Sequence, residues 1–334
     1  MLVRNRLISA MLAGMIAGTL AITGCTSGTE TDEEQTEAPA AAPAALKIGT
    51  LATQDALPLW VAEDAGYFAD NGLTDVEIIT FQSAQECQAA FTAGAVDALM
   101  TDIIVSANLH ASGTEVRIAT VMLGADTGQG RFAIVATPGS TAQSIADLAG
   151  VPVGAASATI TEYVLDQLME EAGVPAADVK KEEVDKVPVR FELLMAGQLQ
   201  AASLPEPFVT LAEQGGATVV AGGDDTKAAK NVSQSVLCVN AEYAGSAAGA
   251  AAVEAALKAW DAAVADINAD PDTFRATLVS KARLPEPLAN TYEVSEYPQA
   301  TPPSADDIQR VLDWMTTKGY LQADVTPQDL LGTR

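Results

Sequence analysis

The sequence predicts an α/β fold in two lobes with a helical C-terminal segment. Three observations carry this. Short apolar strands alternate with helices from Leu46 onward, the alternation restarts at Phe132, and the last third, from about Ala247, is Ala-rich and helical in pattern. Strands and helices alternating at this spacing imply parallel sheets covered on both faces.

In the first run, strands are expected at Leu46–Leu51, Val76–Thr80, Val96–Met100 and Val116–Val121. Helices are expected at Pro58–Phe68, at Ala84–Ala93 and from the third strand to Ala111. The second run has strands at Phe132–Ala136, Val151–Ala155, Lys181–Val184, Leu199–Ser203, Thr218–Ala221 and Val236–Val239. Its helices fall at Ser144–Gly150, where a glycine closes the turn, and at Thr159–Ala172, Arg190–Ala196 and Pro205–Gln214. Lobe 1 is thus expected at residues 46–131 and 240–334 and lobe 2 at 132–239. Phe132–Ala136 and Val236–Val239 would be the crossings between them.

Two C-terminal helices read as packing elements. Ala247–Ala269 carries Trp260 on its apolar face, and Asp307–Lys318 places Ile308, Val311, Leu312 and Met315 at i, i+3, i+4, i+7. Ser304 and Asp307 open the second like a capping box.

The N-terminus sets the expected compartment. Arg4 and Arg6 precede an uncharged apolar run from about Leu7 to Ile22, shorter than the ~20 residues of a membrane span. The run ends at Ile22-Thr23-Gly24-Cys25, which resembles a bacterial lipobox: residues 1–24 would be a signal peptide and Cys25 the lipidated N-terminus. Two acyl chains would hold the protein stably on a membrane. Residues 26–45 are rich in Thr, Ser, Gly, Glu, Ala and Pro with no aromatic side chain. Such a stretch buries too little apolar surface to offset its ordering entropy and is expected to be a disordered tether.

Composition excludes some partners. The formal charge is −26, which argues against nucleic acid and against an electrostatic grip on anionic lipid. Beyond Cys25 only Cys87 and Cys238 remain. They read as two buried thiols, with one disulfide as the alternative.

Four segments carry a family likeness. Leu57-Pro58-Leu59-Trp60-Val61-Ala62-Glu63 with Gly66-Tyr67-Phe68 resembles the first helix of ABC-transporter solute-binding proteins of the nitrate, sulfonate, taurine and thiamine-precursor group. Ala93-Gly94-Ala95-Val96-Asp97-Ala98, Asp147-Leu148-Ala149-Gly150-Val151-Pro152-Val153-Gly154, and Gly197-Gln198-Leu199-Gln200-Ala201-Ala202 with Leu204-Pro205-Glu206-Pro207-Phe208 resemble later segments of the same group. The resemblance implies a two-lobe, type II periplasmic-binding-protein-like clamp with two hinge strands, working with a membrane permease and ATPase. A monomer is expected.

Ligands of open parallel sheets sit beyond the carboxyl ends of the strands. In lobe 1 that rule selects Thr53, Gln54 and Asp55, then Gln82 and Ser83, then Thr101 and Asp102. In lobe 2 it selects Ser157 and Thr159, and the Pro205-Glu206-Pro207 loop. Each has a second reading. Asp102 and Thr159 could cap the helices they open, and Gln82 and Ser83 could form only a turn. Glu206 could touch the ligand or support the loop, and Arg131 could meet an anion, an interlobe acid or a surface partner. Free N–H groups at Ser157–Thr159 would favour a sulfonate or carboxylate, while Asp55 and Asp102 would suit an ammonium or an aminopyrimidine. Taurine-like sulfonates and thiamine-related pyrimidines both fit this sketch.

The rival class is an enzyme. The superfamily implied by the resemblance includes a pyrimidine synthase with a reactive histidine, a lysine-bound pyridoxal cofactor and a cysteine-rich iron site. Here the single histidine, His110, falls late in its helix, and the three cysteines are far apart in sequence. No H-E-x-x-H, P-loop or G-x-S-x-G motif occurs. A non-enzymatic binder without cofactor or metal is expected.

Overall fold

The computed structural model describes residues 41–331 apart from 125–128, 130, 223–234 and 283. All of these fall in one compact unit, Ala40–Arg334. The expected signal segment, Cys25 and the expected tether up to residue 40 lie outside the described residues.

Among the described residues ten strands form two five-stranded sheets. In the first are β1 (Leu46–Leu51), β2 (Val76–Phe81), β3 (Ala98–Asp102) and β4 (Val116–Leu123). The second takes β5 (Phe132–Ala136), β6 (Pro152–Ala155), β7 (Lys180–Glu183), β8 (Ala201–Pro205) and β9 (Thr218–Gly222), and β10 (Ser235–Asn240) returns to the first. The orders are β2-β1-β3-β10-β4 and β7-β6-β8-β5-β9, the same pattern twice. The chain passes between the sheets after Leu123 and again after Gly222.

Neither sheet is purely parallel, contrary to expectation. β1 runs parallel to β2 and β3, and β6 to β7 and β8. β10 is antiparallel to β3 and β4, and β5 to β8 and β9. The reason is topological: β5 and β10 are the strands reached straight after a crossing, so they enter their sheets from the side where the parallel strands end. Phe132–Ala136 therefore belongs wholly to the second sheet and Ser235–Asn240 wholly to the first, so neither strand is itself the crossing.

Helices cover both sheets. The expected Pro58–Phe68 helix is two, Leu57–Ala65 and Tyr67–Asp70, because Gly66 between them has φ 81°. This left-handed conformation ends the first helix at little steric cost in glycine. Trp60 and Leu57 of the first helix share a core with Ala252, Ala256, Ala259 and Trp260 of Ala247–Ala269. The alanine stripe lets the two helices approach closely, and the Trp260 indole N–H, which would be costly unpaired, donates to the Pro298 carbonyl at 3.0 Å. The helix Ala305–Lys318 sets Ile308, Val311, Leu312 and Met315 against Leu99, Ile103 and Ile104 of the first lobe. A helix at Pro271–Lys281 was not foreseen. Cys87 and Cys238 are buried free thiols.

Candidate ligand-binding site

The ends of the parallel strands and the starts of the antiparallel ones converge between the lobes. Register does part of this: Ser235 at the start of β10 lies opposite Asp102 at the end of β3, and Phe132 at the start of β5 lies opposite Pro205 at the end of β8. Between them is a cavity of about 60 Å³, room for a few water molecules as the lobes stand, so an organic ligand enters only when the lobes part. Its apolar lining includes Leu51, Met100, Phe132, Ile160 and Val187; its charged groups are Asp55, Asp102, Asp185 and Arg190.

Asp102 has both oxygens engaged. Oδ1 accepts from the Val105 amide at 2.8 Å and caps its own helix, Ile103–Ala111. Oδ2 accepts from the Ile160 amide of the opposite lobe, also at 2.8 Å. Burial pushes its carboxyl up to about 6, against the pull of these amides. Asp55 is buried as well, and burial raises its carboxyl despite bonds from Ser235 and Thr53.

The start of the second-lobe helix Ile160–Glu171 is occupied by protein carboxylates. Ser157 donates its amide to Glu183 at 2.8 Å and its hydroxyl to the same carboxylate. The Ala158 amide goes to Glu162 at 2.7 Å, and Ile160 to Asp102. These donors, expected to receive a ligand anion, are already satisfied.

An anion receptor lies elsewhere. Arg190, on the helix Val187–Met195, is fully buried and lines the cavity. Its Nη1 donates to the Val184 carbonyl at 2.7 Å, while Nε and Nη2 have no hydrogen-bond partner. Burial pulls its pKa down to about 10, so it remains a cation. The carboxylates of Asp185 and Glu183 favour the cation from nearby, but buried N–H donors without an acceptor are costly, and an anion accepting from both Nε and Nη2 would remove that cost. On the facing lobe the Thr101 hydroxyl, also in the cavity wall, is buried without a partner.

Of the residues selected from sequence, Thr53, Asp55, Thr101, Asp102, Thr159 and Pro205 line the cavity. Six of the polar and charged candidates do not, each for a local reason. Gln54 turns its amide oxygen to Tyr292 at 2.7 Å and Ser295 at 3.2 Å. Gln82 and Ser83 form the turn into Ala84–Thr92, where the Gln82 amide reaches Glu86 and Ser83 caps with the Glu86 amide. Ser157 is held by Glu183. Glu206 accepts from the amide and hydroxyl of Thr210, at 3.1 and 3.0 Å, and from Arg131 at 3.3 Å; Arg131 also reaches Glu213 at 2.9 Å. His110 stands 3.8 Å from Glu115 and does not line the cavity. Arg190, Asp185 and Ser235 were missed. A signal for Arg190 existed: one cation in the apolar run Val187-Pro188-Val189-Arg190-Phe191, three residues from buried Val187 and four from buried Leu194.

A family model described as NMT1/THI5 like matches residues 53–273, well over half of the chain. The chain belongs to the NMT1/THI5-like family. The matched stretch holds every cavity-lining residue except Leu51. No curated protein matches this NMT1/THI5-like chain by sequence.

Solved structures resemble it closely in fold. The periplasmic aliphatic sulphonate binding protein SsuA from Escherichia coli superposes with a TM-score of 0.69 at 19% identity, over 86% of this chain and 99% of that one. The alkanesulfonate-binding SsuA from Xanthomonas axonopodis pv. citri, bound to MOPS, gives 0.70 at 18%, over 86% and 97%. The periplasmic nitrate-binding protein NrtA from Synechocystis PCC 6803 gives 0.64 at 16%, over 85% and 83%. This NMT1/THI5-like chain therefore has the periplasmic-binding-protein fold.

Proposed function

We propose that this protein is the solute-binding component of an ABC importer, and that it captures a small organic sulfonate of the taurine type between its lobes. The observation that carries this reading is Arg190, a buried cation whose Nε and Nη2 have no hydrogen-bond partner in the cavity wall. The sulphonate- and nitrate-binding proteins that share the fold point to the same ligand chemistry. The apolar walls at Leu51, Met100, Phe132 and Val187 favour an anion with an organic body over a bare inorganic one.

Asp55 supports the zwitterion. It is a buried acid on the lobe opposite Arg190, and a ligand ammonium would pair with it while the sulfonate pairs with Arg190. An aminopyrimidine would serve Asp55 and leave Nε and Nη2 of Arg190 without an acceptor. The reading is of a monomeric binder with no catalytic step, in which the lobes close over the ligand about the two crossings. In this reading the lipid on Cys25 tethers the protein outside the cytoplasmic membrane, beside its permease and ATPase.

A thermal-shift panel tests the reading. Taurine and short alkanesulfonates at about a hundredfold over Kd stabilise the folded form by about 2.7 kcal/mol, a rise of several degrees. Aminopyrimidines of similar size leave the midpoint unmoved. A shift with aminopyrimidines alone would overturn the sulfonate assignment.

A further inference from the structure

Glu162 joins the ligand cleft to the C-terminal segment. Its side chain is completely buried, on the second-lobe helix. Oε2 accepts from the Ala158 amide at 2.7 Å. Tyr320 donates to the carboxylate at 2.8 Å, Lys318 stands 3.3 Å from Oε1, and Lys181 pairs with the same oxygen. The amide it holds is unusual: Ala158 has φ 52°, the one non-glycine residue with positive φ among the described residues. Such a conformation persists only where its surroundings enforce it. Ala158 lies inside the turn whose Ala156, Thr159 and Ile160 form the cavity wall.

Lys318 and Tyr320 come from the other lobe. The helix that ends at Lys318 is seated in the first-lobe core by Ile308, Val311, Leu312 and Met315. From that anchor it grips one side of the second-lobe helix. The Trp314 indole donates to Asp166 at 3.0 Å and its ring meets Tyr163 edge-on at 5.2 Å, while Lys318 pairs with Asp166 at 2.7 Å. One first-lobe segment thus reaches Glu162, Tyr163 and Asp166 together.

We infer that Trp314–Tyr320 is an interlobe strap, and that Lys318 and Tyr320 are positioning residues that set the cleft turn Ala156–Ile160 through Glu162. With the strap engaged, the left-handed turn at Ala158 is enforced and the Ile160 amide is presented to Asp102. With it released, Lys181 is the one cation left on Glu162, whose hold on the Ala158 amide loosens, and the turn relaxes away from the cavity. The ligand would then have to supply the ordering that the strap supplies in the wild type. This inference rests on the solute-binding reading only where affinity is concerned.

Amide hydrogen exchange over peptides covering residues 156–161 tests it without ligand. In Lys318→Met/Tyr320→Phe, which keeps the side-chain bulk beside Trp314, exchange across this turn is expected to accelerate at least tenfold. Protection in β1 and β3 stays as in the wild type. Lys318→Arg with Tyr320 intact restores protection of the turn. Glu162→Gln, which removes the charge and keeps the shape, serves if the double variant does not fold, and accelerates the same peptides. Taurine binds the strap variant at least fivefold more weakly. Unchanged exchange at the turn overturns the inference, and so does acceleration spread evenly over both lobes. If the wild type binds no sulfonate, the functional reading fails and the exchange comparison still decides the strap.

Discussion

The carboxylate of Asp102 and the backbone amide of Ile160 meet across the cleft at 2.8 Å, so a residue that caps a helix in one lobe also caps the facing helix in the other. Capping and interlobe contact are two uses of one side chain, and its two oxygens divide them.

Asp102→Asn separates these uses. The asparagine oxygen can accept from Val105 or Ile160 and not from both in the same way, so one amide is left facing an NH₂ group. The expected cost is about 1–3 kcal/mol. It should depend on pH with a defined sign. The folded-state carboxyl titrates at about 6, above its ordinary 3.8. Between these values the folded chain holds a proton that the unfolded chain has released, so this group's contribution is fully present at low pH and is lost as pH rises through about 6. The penalty of Asp102→Asn is therefore larger at pH 4 than at pH 7, by on the order of 1–3 kcal/mol. Urea unfolding of both proteins at the two pH values measures it, and a pH-independent gap would contradict it.

Gln54 predicts the opposite pattern of effects. Its amide oxygen satisfies the Tyr292 and Ser295 hydroxyls, and its carbonyl accepts from Tyr297 at 2.7 Å. Gln54→Ala strands the buried Tyr292 hydroxyl and should cost about 1–3 kcal/mol in denaturant unfolding. Ligand affinity should change little, because the Gln54 side chain turns to Tyr292 and Ser295 and does not line the cavity. A large affinity loss with little destabilisation would return Gln54 to the cleft.

Anchoring is tested at Cys25. Metabolic labelling with palmitate is expected to mark the wild-type protein and not Cys25→Ala. Equal label in both would end the lipobox reading.

Much of the fold was legible because burial writes itself into residue pattern. β1 occupies Leu46–Leu51 and the long helix Ala247–Ala269, the spans expected for each, since an apolar run or stripe of that length leaves few alternatives. Pattern carries no strand direction, and so the reversed β5 and β10 were read as parallel. That error hid part of the site. Phe132 and Ser235 enter the cavity at strand starts, where the strand-end rule does not look. Pro271–Lys281 escaped because its apolar residues form only a weak stripe between polar ones. At the cleft, caps and contacts use the same residue types, so Ser83 and Glu206 were indistinguishable in sequence from Thr101. Only the partners they find in the fold separate them. Arg190 sits inside a helix, beyond the loops that the rule searches.

The most direct measurement is calorimetric titration of the wild type and Arg190→Met with taurine and a short alkanesulfonate. Methionine fills much the same space without a buried charge but gives up the donor to the Val184 carbonyl, so the variant should fold with a melting temperature within several degrees of the wild type. Losing two charge-assisted hydrogen bonds of about 1.5–3 kcal/mol each should weaken sulfonate binding at least a hundredfold. Wild-type binding with that loss is the predicted result. Equal sulfonate affinity in the two proteins would contradict the assignment of Arg190 as the anion receptor, and with it the proposed ligand class.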